Sequence, residues 1–415
     1  MADVVGEVSA QYLVEAKRAD AKQFLSQGYK QTDVGIIPID WEEATISSVA
    51  SIKVAKDVDF RHYSPQKDNK YRYPIYSNTV DDPGIYGYYD FPEYDADAVT
   101  VVGRGVGLGT AILRRMGFGA IGRLIVLFPK VDRKYLASYI NARISIFNES
   151  SGVPQLTGVA LGGYKIALPP GNEQTAIANS LIAIDALISS LESLIVKKQA
   201  IKIATMQQLL TGRTRLPQFA TSPDGRPKGI KQTELGEIPE DWDVVLLGDH
   251  VLIKTGSRNN QDKVQDGLYP FYVRSETVER INSFSYECEA VLVPGEGGIG
   301  SIFHYVDGRF EAHQRVYVIR EFKGCVGKYI YYAMLDGFGS HAMENSVKAT
   351  VDSLRLPTFK NFKLCFPPVE EQSAIALLLS DLEGDLSVLE QRLSKTRQIK
   401  QGMMQELLTG RTRLV

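Results

Sequence analysis

PPGNEQTAIA (169–178) opens a stretch that closes with MQQLLTGRTRL (206–216), and the chain carries that stretch a second time, from PPVEEQSAIA (367–376) to MQELLTGRTRL (404–414). The offset is 198 residues throughout with no insertion, and about half of the positions are identical, far beyond a composition effect. Each copy reads as one long helix. The double prolines, Pro169-Pro170 and Pro367-Pro368, stop what precedes them and can open a helix. Glu173 and Glu371 then fall in the first turn, where a carboxylate suits the positive end of the dipole. Gly212 and Gly410 follow the last apolar pair, as a helix-ending residue should. Between these ends, Ile177, Leu181, Ile184, Ile188, Leu191 and Ile195 recur at steps of four and three, and Ile375, Leu379, Leu382, Leu386, Leu389 and Leu393 repeat them. This is a heptad seam, on helices of roughly 40 residues and about 60 Å. Gly384 inside the second copy weakens it by about 1 kcal/mol relative to Ala.

A single apolar seam needs a partner. Either each helix packs on its own domain, or the two pack on each other; equal length and register favour the second. Related by a two-fold, they would run antiparallel as a coiled coil between two domains. A second repeat supports two equivalent halves: GYKQTDVGIIPIDW (28–41) matches GIKQTELGEIPEDW (229–242) and places the only two tryptophans, Trp41 and Trp242, at equivalent positions. Proline keeps this motif out of a helix interior, so it reads as an extended lead into a domain with the indole as a structural anchor.

Between tryptophan and double proline lie residues 42–168 and 243–366, nearly equal in length and low in identity. A shared frame survives in YPIY (73–76) with YPFY (269–272), AVTVVGRGVGLGTA (98–111) with AVLVPGEGGIGSI (290–302), and FGAIGRLIVL (118–127) with FEAHQRVYVI (310–319). Alternating β-branched runs punctuated by Gly, Asn and Asp predict mixed β-rich domains, with KYLASYINARI (134–144) and KYIYYAML (328–335) as one helix each. The expected order is therefore an N-terminal helical arm (1–27), a first domain (28–168), a long helix (169–216), a Pro/Gly/Ser-rich connection (217–228), a second domain (229–366) and a second long helix (367–415). The fold class is α+β, with a pseudo-two-fold.

Composition narrows function. The net charge of −2 argues against coating nucleic acid by bulk charge. Residues 43–168 nevertheless carry roughly +3, and the helix tails hold Lys197, Lys198, Lys202, Arg213, Arg215, Arg392, Lys395, Arg397, Lys400, Arg411 and Arg413. No run of 18 apolar residues argues for a membrane span, and no signal pattern opens the chain. Cys288, Cys325 and Cys365 are few, odd in number and not in CxxC pairs, which fits the cytoplasm and no structural zinc. GEGGIG (295–300) matches a nucleotide-binding spacing, but a strand-like SIFHYV follows where a helix is needed. It and GRGVGLG (103–109) read as tight turns between strands. No GxxxxGK[ST], HExxH or Asn/Asp-Pro-Pro-aromatic motif occurs, and Glu321-x-Lys323 lacks the preceding Pro-Asp of a nuclease. The chain reads as non-catalytic, without a metal or cofactor of its own.

Turn-rich parts of both variable domains mix the residue types that contact phosphates and base edges. In the first these are Arg61, Lys67, Lys70, Arg72, Asn78, Arg104, Arg114, Arg115, Asn141 and Arg143. In the second they are Arg258, Asn259, Asn260, Gln261, Lys263, Arg274, Arg309 and Lys348. Arg123 and Arg315 fall at equivalent places in apolar strands and read as structural.

IPxDW before each variable domain, PPxxEQxAIA opening each long helix and LLTGRTRL closing it together resemble the specificity subunit of type I restriction-modification systems. The resemblance runs from Gly28 onward. It implies that each variable domain is a target recognition domain reading one half of a bipartite, asymmetric site in double-stranded DNA. It implies that the helices form the coiled coil that fixes the unread spacer and dock two methyltransferase subunits. Those partners would bring S-adenosylmethionine for adenine methylation, and motor-nuclease restriction subunits would bring ATP and magnesium.

Overall fold

The computed structural model describes residues 28–79, 84–144, 155–345 and 353–414. The arm expected over 1–27 and the candidate Lys348 lie outside the described residues. The chain divides into two compact units, one holding the described residues up to Leu191 together with those from Arg392 onward, the other Glu192–Gln391. Both cuts fall inside the long helices, Gly171–Leu210 and Val369–Leu407.

In the first unit the lead motif forms a hairpin, Tyr29–Thr32 against Gly35–Pro38. Glu42–Thr45 then pairs antiparallel with Lys165–Leu168, bringing the two ends of the variable segment together. The segment itself builds an antiparallel sheet in the order Ala50–Val54, Ile125–Pro129, Ala98–Val101, Ala111–Arg114. A smaller mixed sheet runs Gly119–Ala120, Tyr73–Tyr76, Ile85–Tyr89, Tyr63–Ser64. One face of the larger sheet packs on the helix Arg133–Arg143, where Leu136 and Tyr139 join Trp41 and Leu127. The other face carries Ala98, Phe118, Tyr94 and Val126.

The second unit repeats the plan. Its hairpin is Ile230–Thr233 with Gly236–Pro239, and Asp243–Leu246 pairs with Lys363–Phe366. Here the two sheets are one, ordered Leu252–Thr255, Val316–Arg320, Tyr286–Pro294, His304–Ala312, Tyr269–Tyr272, Glu279–Ile281. The merger has a local cause. His304–Ala312 runs nine residues unbroken, whereas its counterpart is split into Ala111–Arg114 and Gly119–Ala120 by a turn in which Gly117 takes φ +82°. The covering helix, Gly327–Glu344, is longer than the sequence pattern indicated. Both glycine-rich runs are turns between strands, with Gly105, Gly107, Gly109 and Gly297, Gly298, Gly300 at positive φ.

The helix seam resolves into both expected modes at once. In the first unit, Ile177 and Leu181 enter the domain core together with Leu407 and Leu408 from the end of the other helix. In the second, Ile375 and Leu379 do so with Leu209 and Leu210. Direction follows from ion pairs. In the first unit Glu173 meets Arg413 and Asp185 meets Lys400, so one segment advances as the other recedes. In the second, Glu371 meets Arg215, Glu383 meets Lys202 and Asp385 meets Lys198. Each unit thus contains an antiparallel helix pair. The middle of the seam stays covered at Ile184, Leu191, Ile195 and Leu386, with Ile188, Leu382, Leu389 and Leu393 partly buried. Gly212 and Gly410 end the helices at φ +70° and +69°, as a left-handed cap requires.

The first long helix carries more apolar surface than its seam uses. An 18-residue window reaches a mean hydropathy of 1.5, enough by length and composition to cross a membrane, although no unbroken apolar run exists. Ile182, Leu187, Leu194, Val196, Ile201 and Ile203 are 40–66 % exposed.

Candidate nucleic-acid interface

The duplicated signature residues turn out to be joints. Glu173 is fully buried, and its carboxylate accepts the Trp41 indole N–H at 2.8 Å. Arg413 donates to the same carboxylate from Nε at 2.6 Å and Nη2 at 2.8 Å, and reaches Asp40 at 3.0 and 2.7 Å. The second unit repeats this with Glu371, Trp242, Arg215 and Asp241: indole to carboxylate 3.0 Å, Arg215 Nε to Glu371 2.9 Å, and Arg215 to Asp241 2.8 and 3.1 Å. A buried carboxylate is tolerable only when charge-paired and hydrogen-bonded, and here one side chain receives both. The glutamine beside it ties the helix to its domain. Gln174 donates to the Pro169 carbonyl at 2.8 Å and accepts the Asp132 N–H at 3.0 Å, while Gln372 does the same with Pro367 and Val326.

Several of the helix-tail cations are therefore committed to internal bonds. Arg215 and Arg413 are the keystones of the joints, and Lys198, Lys202 and Lys400 sit in ion pairs between helices. The Arg413 bonds hold the Asp40 carboxyl below the usual carboxylate range. Burial pushes Asp241 up, but the bonds from Arg215 and Lys228 outweigh it and leave it lowered. Asp185 follows the same balance between Lys134 and Lys400.

The candidate contact residues divide into two groups. Asn78, Asn141 and Arg114 hold the first domain's own structure. Asn78 donates to the Gly122 carbonyl and accepts the Gly103 N–H. Asn141 bonds both backbone groups of Ala111 at 2.7 and 2.9 Å. Arg114 is buried, donates to Thr100 at 3.1 Å and stacks 3.6 Å from the Tyr76 ring centre. Arg61, Lys67, Lys70, Arg72, Arg104, Arg115 and Arg143 are exposed. Arg61 pairs with Asp59, Lys70 lies 3.7 Å from Asp90, and Arg72 stacks on Tyr73.

In the second domain, Asn259, Asn260, Gln261, Lys263, Arg274 and Arg309 are exposed and Arg258 is half-buried. Arg258 contacts Glu311, Lys263 Glu279, Arg274 Glu296 and Arg309 Glu287. Arg123 and Arg315 are not in strands. Both sit exposed on turns, Arg123 at φ +69°.

One correspondence organises these residues. After the edge strand of each larger sheet the chain makes a short 3-10 turn, Phe60–His62 in the first domain and Asn260–Asp262 in the second. The same position therefore presents Phe60, 68 % exposed and edge-on to Tyr63, in one domain, and two amides in the other. The Tyr63 ring lies over Gly87, where a Cβ would meet it at 2.3 Å. These aromatics were missed because tyrosine and phenylalanine in a β-rich segment read as core.

Two α+β domains on one plan, each joined by the same four-residue clasp to a pair of antiparallel helix ends and each displaying different side chains, define a duplicated scaffold with two unlike surfaces. The family model for the type I restriction modification DNA specificity domain matches twice, over residues 38–200 and 239–398. The chain belongs to that family, the specificity subunits of type I restriction-modification systems. It is 32 % identical over 174 residues to the type I restriction enzyme EcoDI specificity subunit of Escherichia coli, covering 42 % of this chain and 38 % of that one. It is 25 % identical over 295 residues to the MjaVIII specificity subunit of Methanocaldococcus jannaschii, covering 64 % and 66 %. The alignments thus span about two fifths to two thirds of these relatives' length. The fold resembles that of the type I S subunit from M. genitalium, with a TM-score of 0.64 and 16 % identity over 88 % of this chain and 96 % of that one.

Proposed function

We propose that this chain reads a bipartite, asymmetric sequence in double-stranded DNA, one half with each domain, and catalyses nothing itself. The observation that carries this is the shared 3-10 turn displaying Phe60, Arg61 and His62 in one domain and Asn260, Gln261 and Asp262 in the other. A common scaffold with different side chains at one position is what two different half-sites require. The long helices set the unread spacer. At 40 and 39 residues each is about 60 Å long, more than one DNA turn of about 34–36 Å. Their exposed apolar residues, Ile182 to Ile203 on the first and Leu377, Val388 and Ile399 on the second, suit docking of two methyltransferase subunits. Those subunits supply S-adenosylmethionine and the adenine-methylating site. Restriction subunits add ATP- and magnesium-dependent cleavage. The assembly works on DNA in the cytoplasm, and partner surfaces contribute phosphate contacts that a chain of net charge −2 lacks.

The test is a domain exchange read by methylome sequencing. Replacing residues 42–168 with the same segment of another member should change one half of the methylated sequence and leave the other half and the spacer as they were. An unchanged methylated sequence would refute the assignment.

A further inference from the structure

The same sheet position is built differently in the two domains, and the difference opens an anion site in the second. In the first domain Lys53 lies opposite Val126, and Phe128 opposite Ser51. The Lys53 ammonium rests against two rings, 5.3 Å from Phe128 and 5.8 Å from Tyr94. In the second domain Lys254 lies opposite Val318, and Arg320 opposite Leu252. Arg320 thus stands where Phe128 stands, and Tyr286, stacked on Phe310, stands where Tyr94 stands against Phe118. Without the second ring the nest is open. A cavity of about 320 Å³ remains, lined by Lys254, Ser285, Tyr286, Glu287, Cys288 and Arg320.

Two cationic side chains line this cavity, and each has a donor without a protein acceptor. Arg320 Nε is buried and has no hydrogen-bond partner, alone in this among the buried side-chain atoms of the described residues. Lys254 is exposed and has no ion pair among the described residues. The other polar groups are committed. Ser285 donates to Glu311 at 2.7 Å, Tyr286 donates to the Thr255 carbonyl at 3.2 Å, and Glu287 pairs with Arg309 at 3.0 Å. Glu321 takes Arg320 Nη1 at 2.5 Å, from a backbone at φ +57° that only two non-glycine residues among those described adopt. That contact matches the guanidinium charge and leaves Lys254 as the uncompensated cation. A buried unsatisfied donor and a residue held in a disfavoured conformation together mark a place shaped for something else.

We infer that Lys254 and Arg320 form a site for a single phosphate group in the second domain, filled in the working protein by a backbone phosphodiester of the bound DNA, with no counterpart in the first domain. The source of the phosphate rests on the DNA-reading assignment above; the site itself does not. It makes the grip on DNA unequal, with one more charge-assisted contact at one half-site.

Backbone contacts are independent of sequence, so a mixed-sequence duplex serves as the probe. Affinity of the full chain is measured against salt for the unaltered protein and for Arg320→Gln, Lys254→Gln and Lys53→Gln. Loss of one phosphate contact lowers the slope of log affinity against log salt by about 1. The expected result is that drop in the first two variants and none in Lys53→Gln; equal slopes in all four proteins overturn the proposal. Lys254 is exposed, so its variant carries the test if Arg320→Gln fails to fold. A second arm measures melting temperature in inorganic phosphate against chloride at equal ionic strength. If the unaltered chain ignores the duplex but phosphate stabilises it and not Lys254→Gln, the site stands and DNA is removed as its source. If phosphate stabilises both proteins equally, or neither, and no duplex binds, the site falls as well.

Discussion

At Glu371 a carboxylate with no solvent exposure is held by an indole N–H and by Arg215, whose side chain is itself only 8 % exposed. At Glu173 the same geometry recurs, but Arg413 is 33 % exposed. Breaking a buried pair from one side leaves the other charge stranded, at about 3–5 kcal/mol. Asp241 remains beside Arg215, so Glu371→Gln should cost about 3 kcal/mol. Glu173→Gln should cost less, because water screens Arg413. Urea unfolding of the two variants measures both the size and the order; equal costs would mean that burial of the arginine is immaterial. The aspartates of the joints, with Asp185 between the helices, set a pH dependence. Asp40, Asp185 and Asp241 all have lowered pKa values in the folded chain. Their contribution is present above the unfolded value near 3.9 and is lost as pH falls through the lower folded values. Melting temperature should therefore drop below about pH 4, less steeply in Asp40→Asn and Asp241→Asn.

In the helices, Gly384 is a residue open to improvement. The second long helix runs through it unbroken, and a Cβ there would meet nothing within 4 Å. Gly384→Ala should therefore stabilise the chain by about 1 kcal/mol in the same urea measurement. Gly410→Ala should destabilise it, since φ is +69° and the added carbon would lie 2.4 Å from Pro38. Elements such as these were legible in the sequence. Heptad spacing, the double prolines and the terminal glycines are local signals, and a repeat shows each one twice. The joints were half legible. Duplication marked Trp41, Glu173 and Arg413 as repeated positions, but a spacing of 240 residues between Glu173 and Arg413 gives no hint that they bond. The arginines of the GRTRL tails gave no sign of this role, because composition is blind to a carboxylate arriving from another element. The recognition surfaces were least legible. Asn78 and Asn141 have the side chains of base readers and serve the backbone instead, while Phe60 has the side chain of a core residue and stands in solvent. Loop register decides these roles, and no period in the sequence encodes it.

Over the whole molecule, the two joints tie the helix lengths to each other. Each long helix begins in one compact unit and ends in the other, and the GRTRL tail after each carries the arginine that meets the glutamate opening its partner. Seven residues added to the first helix alone would displace Arg215 by about 10 Å relative to an unaltered second helix. Glu371 and Glu173 could not then both keep their arginines, so that variant should lose stability by about the cost of one broken joint, 3–5 kcal/mol. Seven residues added to both helices keep the register of each joint and restore stability. Under the proposed function the paired insertion also moves the half-sites apart. An increment of about 10 Å corresponds to about three base pairs at 3.4 Å each. Methylome sequencing of cells carrying the paired insertion should return both original half-sites with a spacer longer by about that much, or no methylation if the partner subunits cannot span it. Original half-sites at the original spacing would show that the helices hold the domains without measuring the DNA between them.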